Sequence, residues 1–210
     1  MPPLSTHFRF SCLIVPRLAA ASHVDLFLLG TVAPDAFRPA DDASFAEHHF
    51  SREGGRIDLA SFRKAARLGT LPAASPASAF ATGYYAHLWL DAFFIDHGNE
   101  LPVARSVSAS QADLRLAVRK EAEFFNAPFV LALAGASRPT TEELSLPRGL
   151  EFIDKEACAR LMRTVVEEAH AAALAAIVPT VLDEGQYDEF LGTGAESFLA
   201  ERRCPSREGA

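Results

Sequence analysis

The sequence has few cysteines, no long apolar run and no basic stripe, and each shortage excludes a class of protein. Its three cysteines, Cys12, Cys158 and Cys204, are far apart and odd in number, which argues against a disulfide framework or a zinc ribbon and favours a reducing compartment. No apolar stretch has the about eighteen residues of a membrane span. Acidic residues (27) outnumber Lys and Arg (20), the net charge is −7, and we therefore expect no nucleic-acid-binding surface.

The apolar run near the N-terminus is also short. It covers Cys12 to Val15 and is stopped by Pro16 and Arg17. Because the hydrophobic region of a secretory signal is longer than this, we expect a cytoplasmic protein.

Alternation of apolar and polar residues with a period of two does not persist anywhere, whereas helix start and stop signals recur along the chain. The sequence therefore predicts an all-α fold, a bundle of about six to eight helices around one long central apolar helix. A length of 210 residues suits one well-covered core and is short for two. We expect a single domain over residues 1–210.

The expected helices follow these local signals. The first is divided or kinked by Pro16, the second is capped by Asp58, and the fourth is interrupted around Pro128. The polar stretch 38–55 is expected to be irregular. The predicted helical ranges are 7–21, 58–68, 75–98, 110–125 with a resumption over 129–136, 151–177 and 186–202.

The central stretch 75–98, SPASAFATGYYAHLWLDAFFIDHG, is apolar on nearly every face of the predicted helix. Ser75 suits the N-cap, and Gly98 suits a left-handed C-terminal cap. His87 and Asp91, at i and i+4, share one face. They are either a core histidine bonded to a carboxylate or two ligands of one metal ion. We favour the metal, because an ionised buried Asp is costly unless it is compensated.

Other candidate ligands lie upstream. Asp35 follows Pro34 in APDAF and is either a turn carboxylate or a functional one. His48 and His49 are adjacent in the polar stretch, and His7 lies at the start of the first predicted helix. Three carboxylates on later helices, Glu121, Glu123 and Glu167, could also supply a ligand. Nothing in their spacing favours one of them over the others.

The motifs THF, APDAF, HHF and GYYAHLWLD, followed by His97, occur in an order that resembles the zinc-dependent phospholipase C family of all-α hydrolases. Members carry an early His, a Pro-Asp after a short apolar segment ending in Gly, a His-Phe, and a His-x3-Asp on a central helix. The resemblance covers residues 5–98. It implies a metal-dependent hydrolase that cleaves a small-molecule or lipid-like phosphate ester, such as a phospholipid- or nucleotide-like diester, through zinc-activated water.

Carried over by position, the resemblance implies that His49, His87 and Asp91 bind one zinc ion. His7 would join Asp91 at a neighbouring metal. Asp35 would be a further ligand or the general base. Between the two adjacent histidines we prefer His49, because it directly precedes Phe50 as in the family pattern.

One family feature is missing from this chain. A further zinc needs a His-x3-Glu on a later helix, but the last histidine, His170, has no Glu four residues on. We therefore expect one or two zinc ions, with His97 outside the ligand set. The alternative is a catalytically degenerate, metal-stabilised helical protein with a binding or structural role.

Overall fold

A computed structural model describes residues 1–36, 46–52, 55–101, 103, 110–136 and 144–203. Among these residues its main helices are α1 (Leu4–Ile14), α2 (Val24–Val32), α3 (Leu59–Ala65), α4 (Pro76–His97), α5 (Gln111–Ala136), α6 (Lys155–Leu174) and α7 (Glu184–Arg203). Short 3-10 turns cover Val15–Arg17, Ala19–His23, Ala33–Asp35 and Gly98–Glu100. Within these ranges β structure is limited to two isolated bridges, and the prediction of an all-α fold is confirmed.

Helix α4 is the centre of the bundle. It packs along α2 and also contacts α1, α3 and α7. Every residue from Ala79 to Asp91 is buried, as expected of a helix that is apolar on all faces. Beyond Asp91 the helix approaches the surface, and its last turn is exposed.

Helices α2 and α4 touch backbone to backbone at Gly30 and Gly83. A Cβ atom on Gly83 would lie 1.9 Å from the carbonyl oxygen of Phe27, and one on Gly30 would lie 2.0 Å from that of Phe80. Any side chain at either position would push the helices apart. The two glycines therefore let the end of α2 lie directly against the middle of α4.

A buried polar network fixes α1 against α5 and α7. The hydroxyls of Thr6 and Tyr187 are 2.7 Å apart, and Asn126 Nδ2 donates to both, at 3.0 and 3.2 Å. Arg9, almost fully buried, pairs with Asp188 on α7. Because every partner is supplied by another helix, the network sets the position of α1 in the bundle.

Pro128 does not interrupt α5, so the predicted break at this position is wrong. The helix runs continuously through Pro128. A proline removes one N–H and disturbs the carbonyls of the preceding turn, and Arg9 Nη1 donates to one of these, the carbonyl of Phe125, at 3.3 Å. A donor from α1 thus offsets part of the cost of the proline.

Other helix ends agree with the prediction only in part. Asp58 and Ser75 cap α3 and α4 as expected. Gly98 has a φ of −59°, so the predicted left-handed cap is wrong, because the chain continues into a 3-10 turn. Helix α6 begins later than predicted because the side chain of Asp154 accepts the first free backbone N–H groups.

Some predictions fall partly or wholly outside the described residues. These are the polar stretch 38–55, of which 38–45 and 53–54 are not described, and the third cysteine, Cys204. Cys12 and Cys158 are free thiols. Among the described helices no single one is long and apolar enough to cross a membrane; the pair Leu4–Arg17 and Ala19–Asp35 reaches the required length and composition only when joined across a bend of 113°.

Candidate metal centre

His87 is oriented through its Nδ1 atom. This nitrogen lies 2.8 Å from the carbonyl oxygen of Thr31, which can only accept, so Nδ1 carries the proton. Thr31 is in the last turn of α2, where carbonyls have no partner within the helix. Nε2 of His87 is consequently left with a free lone pair that faces the carboxylates of the site.

Asp91 lies one turn beyond His87 on α4 and is 0% exposed. His87 Nε2 is 3.3 Å from its Oδ2, and His7 Nε2 is 3.4 Å from its Oδ1. Neither oxygen has a hydrogen-bond partner of acceptable geometry among the described residues. Burial alone would raise the pKa of Asp91, but the imidazoles of His87 and His7 outweigh it and hold the pKa well below its usual range. The ionised form of the buried carboxylate is therefore favoured.

His7 reaches the site from α1, and its ring stacks on that of His87. The ring centroids are 3.9 Å apart, and the planes differ by 7°. Burial and the neighbouring His87 lower the pKa of His7. Burial also acts to lower the pKa of His87, but Asp91 and Asp35 outweigh it and raise the pKa. The lowered pKa favours the neutral form of His7, which is the form in which imidazole binds a metal.

Asp35 and His49 complete the cluster from two further segments. His49 Nε2 is 3.2 Å from Asp35 Oδ1 and 3.8 Å from Asp91 Oδ2, and His87 Nε2 is 4.0 Å from Asp35 Oδ2. The side chain of Asp35 is 34% exposed, whereas that of His49 is 1% exposed. The cluster therefore meets solvent on the Asp35 side.

These separations suit atoms that bind the same metal ion. Ligand atoms placed tetrahedrally at about 2.0–2.1 Å from a metal lie about 3.3 Å from one another, and the contacts above range from 3.2 to 4.0 Å. The candidate donors form two sets, and within each set all ligand atoms lie within 4.8 Å of one another. One set is His7, His87 and Asp91, and the other is Asp35, His49 and His87. The cluster has the donor atoms and spacing to hold a metal ion.

The structure brings all five predicted ligands into this cluster and leaves the other candidates outside it. His48 packs its ring against Phe152, with centroids 5.2 Å apart, so His49 is the histidine of the pair that faces the site. His97 is exposed and contacts Glu100 at 2.9 Å. The remaining histidines, His23 and His170, are not part of either donor set.

Glu121, one of the unselected carboxylates, has a structural role. Its oxygens accept the backbone N–H groups of Thr180, Val181 and Leu182 at 2.7 to 3.1 Å. The sequence contains no signal for this contact, because its partners lie about sixty residues away.

The close crossing of α2 and α4 could have been predicted from the sequence, since each of these apolar helices contains one isolated glycine.

No protein-family model, no curated protein and no solved structure matches this chain.

Proposed function

We propose that this protein is a metal-dependent hydrolase of phosphate esters. The observation that carries the proposal is the environment of Asp91. Its carboxylate is fully buried, neither oxygen has a hydrogen-bond partner of acceptable geometry among the described residues, and it faces imidazole nitrogens of three histidines. An ionised carboxylate is expensive to bury unless a positive charge compensates it. A cation among the five ligands supplies that charge.

The ligands divide between two positions that share Asp91. His49, His87 and Oδ2 of Asp91 would hold one ion, with Asp35 on its exposed side. His7 and Oδ1 of Asp91 would hold a second ion, so that Asp91 bridges the two. Imidazole nitrogen and carboxylate oxygen suit zinc, and we propose one or two zinc ions. Bound zinc would lower the pKa of a water molecule and neutralise charge on a phosphate ester.

Asp35 is the ligand best placed to act on a substrate. It is the only one of the five with substantial exposure. Burial would raise its pKa, but the imidazoles of His87 and His49 outweigh this and lower the pKa. An ionised carboxylate at the mouth of the site can accept the proton of the attacking water and orient it.

The phosphate-ester class of substrate, small or lipid-like, is supported by the resemblance of the motif order to the zinc-dependent phospholipase C family. The test has two stages. Metal analysis of protein purified without chelator should find at least about one equivalent of a transition metal. Phosphodiester and phosphomonoester substrates should then be hydrolysed with metal and not without it. Metal below about half an equivalent, unchanged when zinc is added, would contradict the proposal.

A metal-stabilised protein without catalysis is the second candidate. It is favoured by the closed character of the site, since the side chains of His7, His49, His87 and Asp91 are 2% exposed or less, and closed sites are typical of structural zinc. Turnover that Asp35→Asn abolishes while metal content is retained would exclude this candidate. Stoichiometric metal without turnover of any substrate would favour it.

A further inference from the structure

We propose that Tyr84 and Phe50 are positioning residues that hold His49 at the metal centre. The inference rests on the proposed metal site and adds the means by which one ligand is held. The hydroxyl of Tyr84 donates to the backbone carbonyl oxygen of His48 at 2.6 Å. That carbonyl belongs to the peptide group that joins His48 to His49. Tyr84 is therefore bonded to the backbone that carries the ligand.

The turn that carries His49 ends in an uncommon way. Phe50 N–H bonds to the carbonyl of Glu47 at 3.2 Å, and Ser51 N–H bonds to that of Ala46 at 2.8 Å. This pair of bonds is a Schellman motif, which requires a left-handed residue at the position of Phe50. The φ of Phe50 is 49°. Glycine normally takes this position, because a side chain costs about 1–2 kcal/mol there.

Aromatic packing keeps Phe50 in this conformation. Its ring lies edge-on to those of Phe62 and Tyr84, with centroids 5.2 and 6.5 Å away, and Tyr84 stacks on Phe62 at 4.8 Å. The backbone carbonyl of Phe50 also accepts from Asp58 N–H at 2.9 Å. A strained backbone conformation of this kind persists where several surrounding contacts together fix it. The contacts that hold Phe50 in its strained conformation thus also fix the backbone of the preceding residue, His49.

Helix α4 carries Tyr84 and also two of the candidate ligands, His87 and Asp91. Tyr84 lies three residues before His87 on α4, and it is fully buried. Burial raises its pKa, which favours the protonated hydroxyl that donates this bond. Since α4 carries both Tyr84 and Asp91, the hydroxyl ties His49 to the helix on which its partner carboxylate lies, 3.8 Å away.

The test compares two tyrosines that are neighbours in sequence. Tyr84→Phe removes the hydroxyl and keeps the ring. Tyr85→Phe is the matched control, because Tyr85 is equally buried and its hydroxyl donates instead to Glu201, at 2.5 Å. Zinc affinity is measured by competition with a chromophoric chelator, using the full-length metal-free protein. We expect Tyr84→Phe to weaken zinc binding about 10–100-fold, as loss of an outer-shell partner does, and Tyr85→Phe to leave it unchanged.

A second measurement tests whether Tyr84 acts through His49. In a His49→Ala background, the ligand that Tyr84 positions is gone, so adding Tyr84→Phe should leave the residual zinc affinity unchanged. The absorption spectrum of the Co²⁺-loaded protein should change with Tyr84→Phe and not with Tyr85→Phe. If Tyr84→Phe does not fold, Phe50→Leu carries the same test, because it loosens the turn and keeps the hydroxyl.

The outcomes separate the inference from the proposed function. Unchanged zinc affinity in Tyr84→Phe, or in Phe50→Leu when that variant is used, would overturn the positioning role while the metal site stands. The positioning role would also be overturned if Tyr84→Phe weakened zinc binding equally in the wild-type protein and in the His49→Ala background. A wild-type protein that binds no metal would overturn the proposed function and this inference with it.

Discussion

Asp91 links the two halves of the candidate metal centre, because its two oxygens face different partners. Oδ1 is 3.4 Å from His7, whereas Oδ2 is 3.3 Å from His87 and 3.8 Å from His49. Replacement of the carboxylate by an amide keeps the shape of the side chain and removes the charge that attracts a cation. The residue thus offers a direct test of whether a metal holds these segments together.

We predict that Asp91→Asn abolishes metal binding. Zinc affinity should fall by more than the about 10–100-fold that accompanies loss of an outer-shell group, as measured by elemental analysis and by chelator competition. Asp96→Asn is the matched control, since Asp96 is exposed on the same helix, and it should retain the wild-type metal content. Full metal content in Asp91→Asn would show that the carboxylate is not a ligand.

Glu121 allows a prediction about pH that does not involve the metal. Burial would raise its pKa, but the N–H groups of Thr180, Leu182 and Val181 outweigh this and lower the pKa. The group therefore contributes stability above its unfolded pKa of about 4.3, and this contribution is lost as the pH falls through the folded pKa. Charge-assisted hydrogen bonds of this kind contribute about 2 kcal/mol.

We expect Glu121→Gln to lower the free energy of unfolding by about 2 kcal/mol at neutral pH and by progressively less below about pH 4. Urea unfolding of the metal-free proteins at several pH values measures the difference. Glu123→Gln, which removes only an exposed pair with Arg119, should cost less than about 0.5 kcal/mol. A difference between wild type and Glu121→Gln that grows on acidification would contradict the assignment.

Among the helices, the crossing of α2 and α4 has the most direct consequence for the centre. The Gly30–Gly83 contact brings the last turn of α2 against α4, and this places the Thr31 carbonyl 2.8 Å from His87 Nδ1. The chain then turns through Ala33–Asp35 and delivers Asp35 to the same site. One close helix packing thereby orients one candidate ligand and supplies another.

Gly83→Ala should separate these two helices. Its Cβ would meet backbone, which cannot move aside as a side chain would, so we expect a loss of about 3 kcal/mol in the free energy of unfolding together with weaker zinc binding. Chemical denaturation and chelator competition measure the two effects. Gly192→Ala on α7, where a Cβ would meet open space, should instead stabilise the protein by about 0.5–1 kcal/mol. Wild-type stability in Gly83→Ala would contradict the close crossing.

At the scale of the whole molecule, the centre joins parts of the chain that are far apart in sequence. Its candidate ligands come from α1, from the turn after α2, from the turn that carries His49, and from α4. A ligand that binds only the folded state stabilises it by mass action. An ion bound at this junction would therefore stabilise the fold as a unit.

Removal of the metal should lower the melting temperature. At a free zinc concentration of 1,000 times Kd, binding contributes about 4 kcal/mol, which for a chain of this size corresponds to about 8–16 °C. Thermal scans with excess zinc and with chelator measure the shift, and Asp91→Asn should show none. Identical melting temperatures of the wild-type protein under both conditions would contradict a stabilising metal.

The sequence by itself determined the helical class, most helix starts and the five candidate ligands. Caps such as Asp58 and Ser75 act within one turn, so their effect can be predicted locally. Local signals failed at Pro128 and Gly98, where the outcome depended on a donor from α1 and on the course of the following chain.

Only the tertiary structure decided which polar residues meet. His49 could be preferred to His48 only through the resemblance, and the Schellman turn between them and Ser51 is bonded to Tyr84 and packs against Phe62, which lie on other helices. The Thr31 carbonyl is available to His87 because Gly30 and Gly83 let two backbones touch. These interactions join residues tens of positions apart, so they arise from packing between helices, which local sequence patterns do not encode.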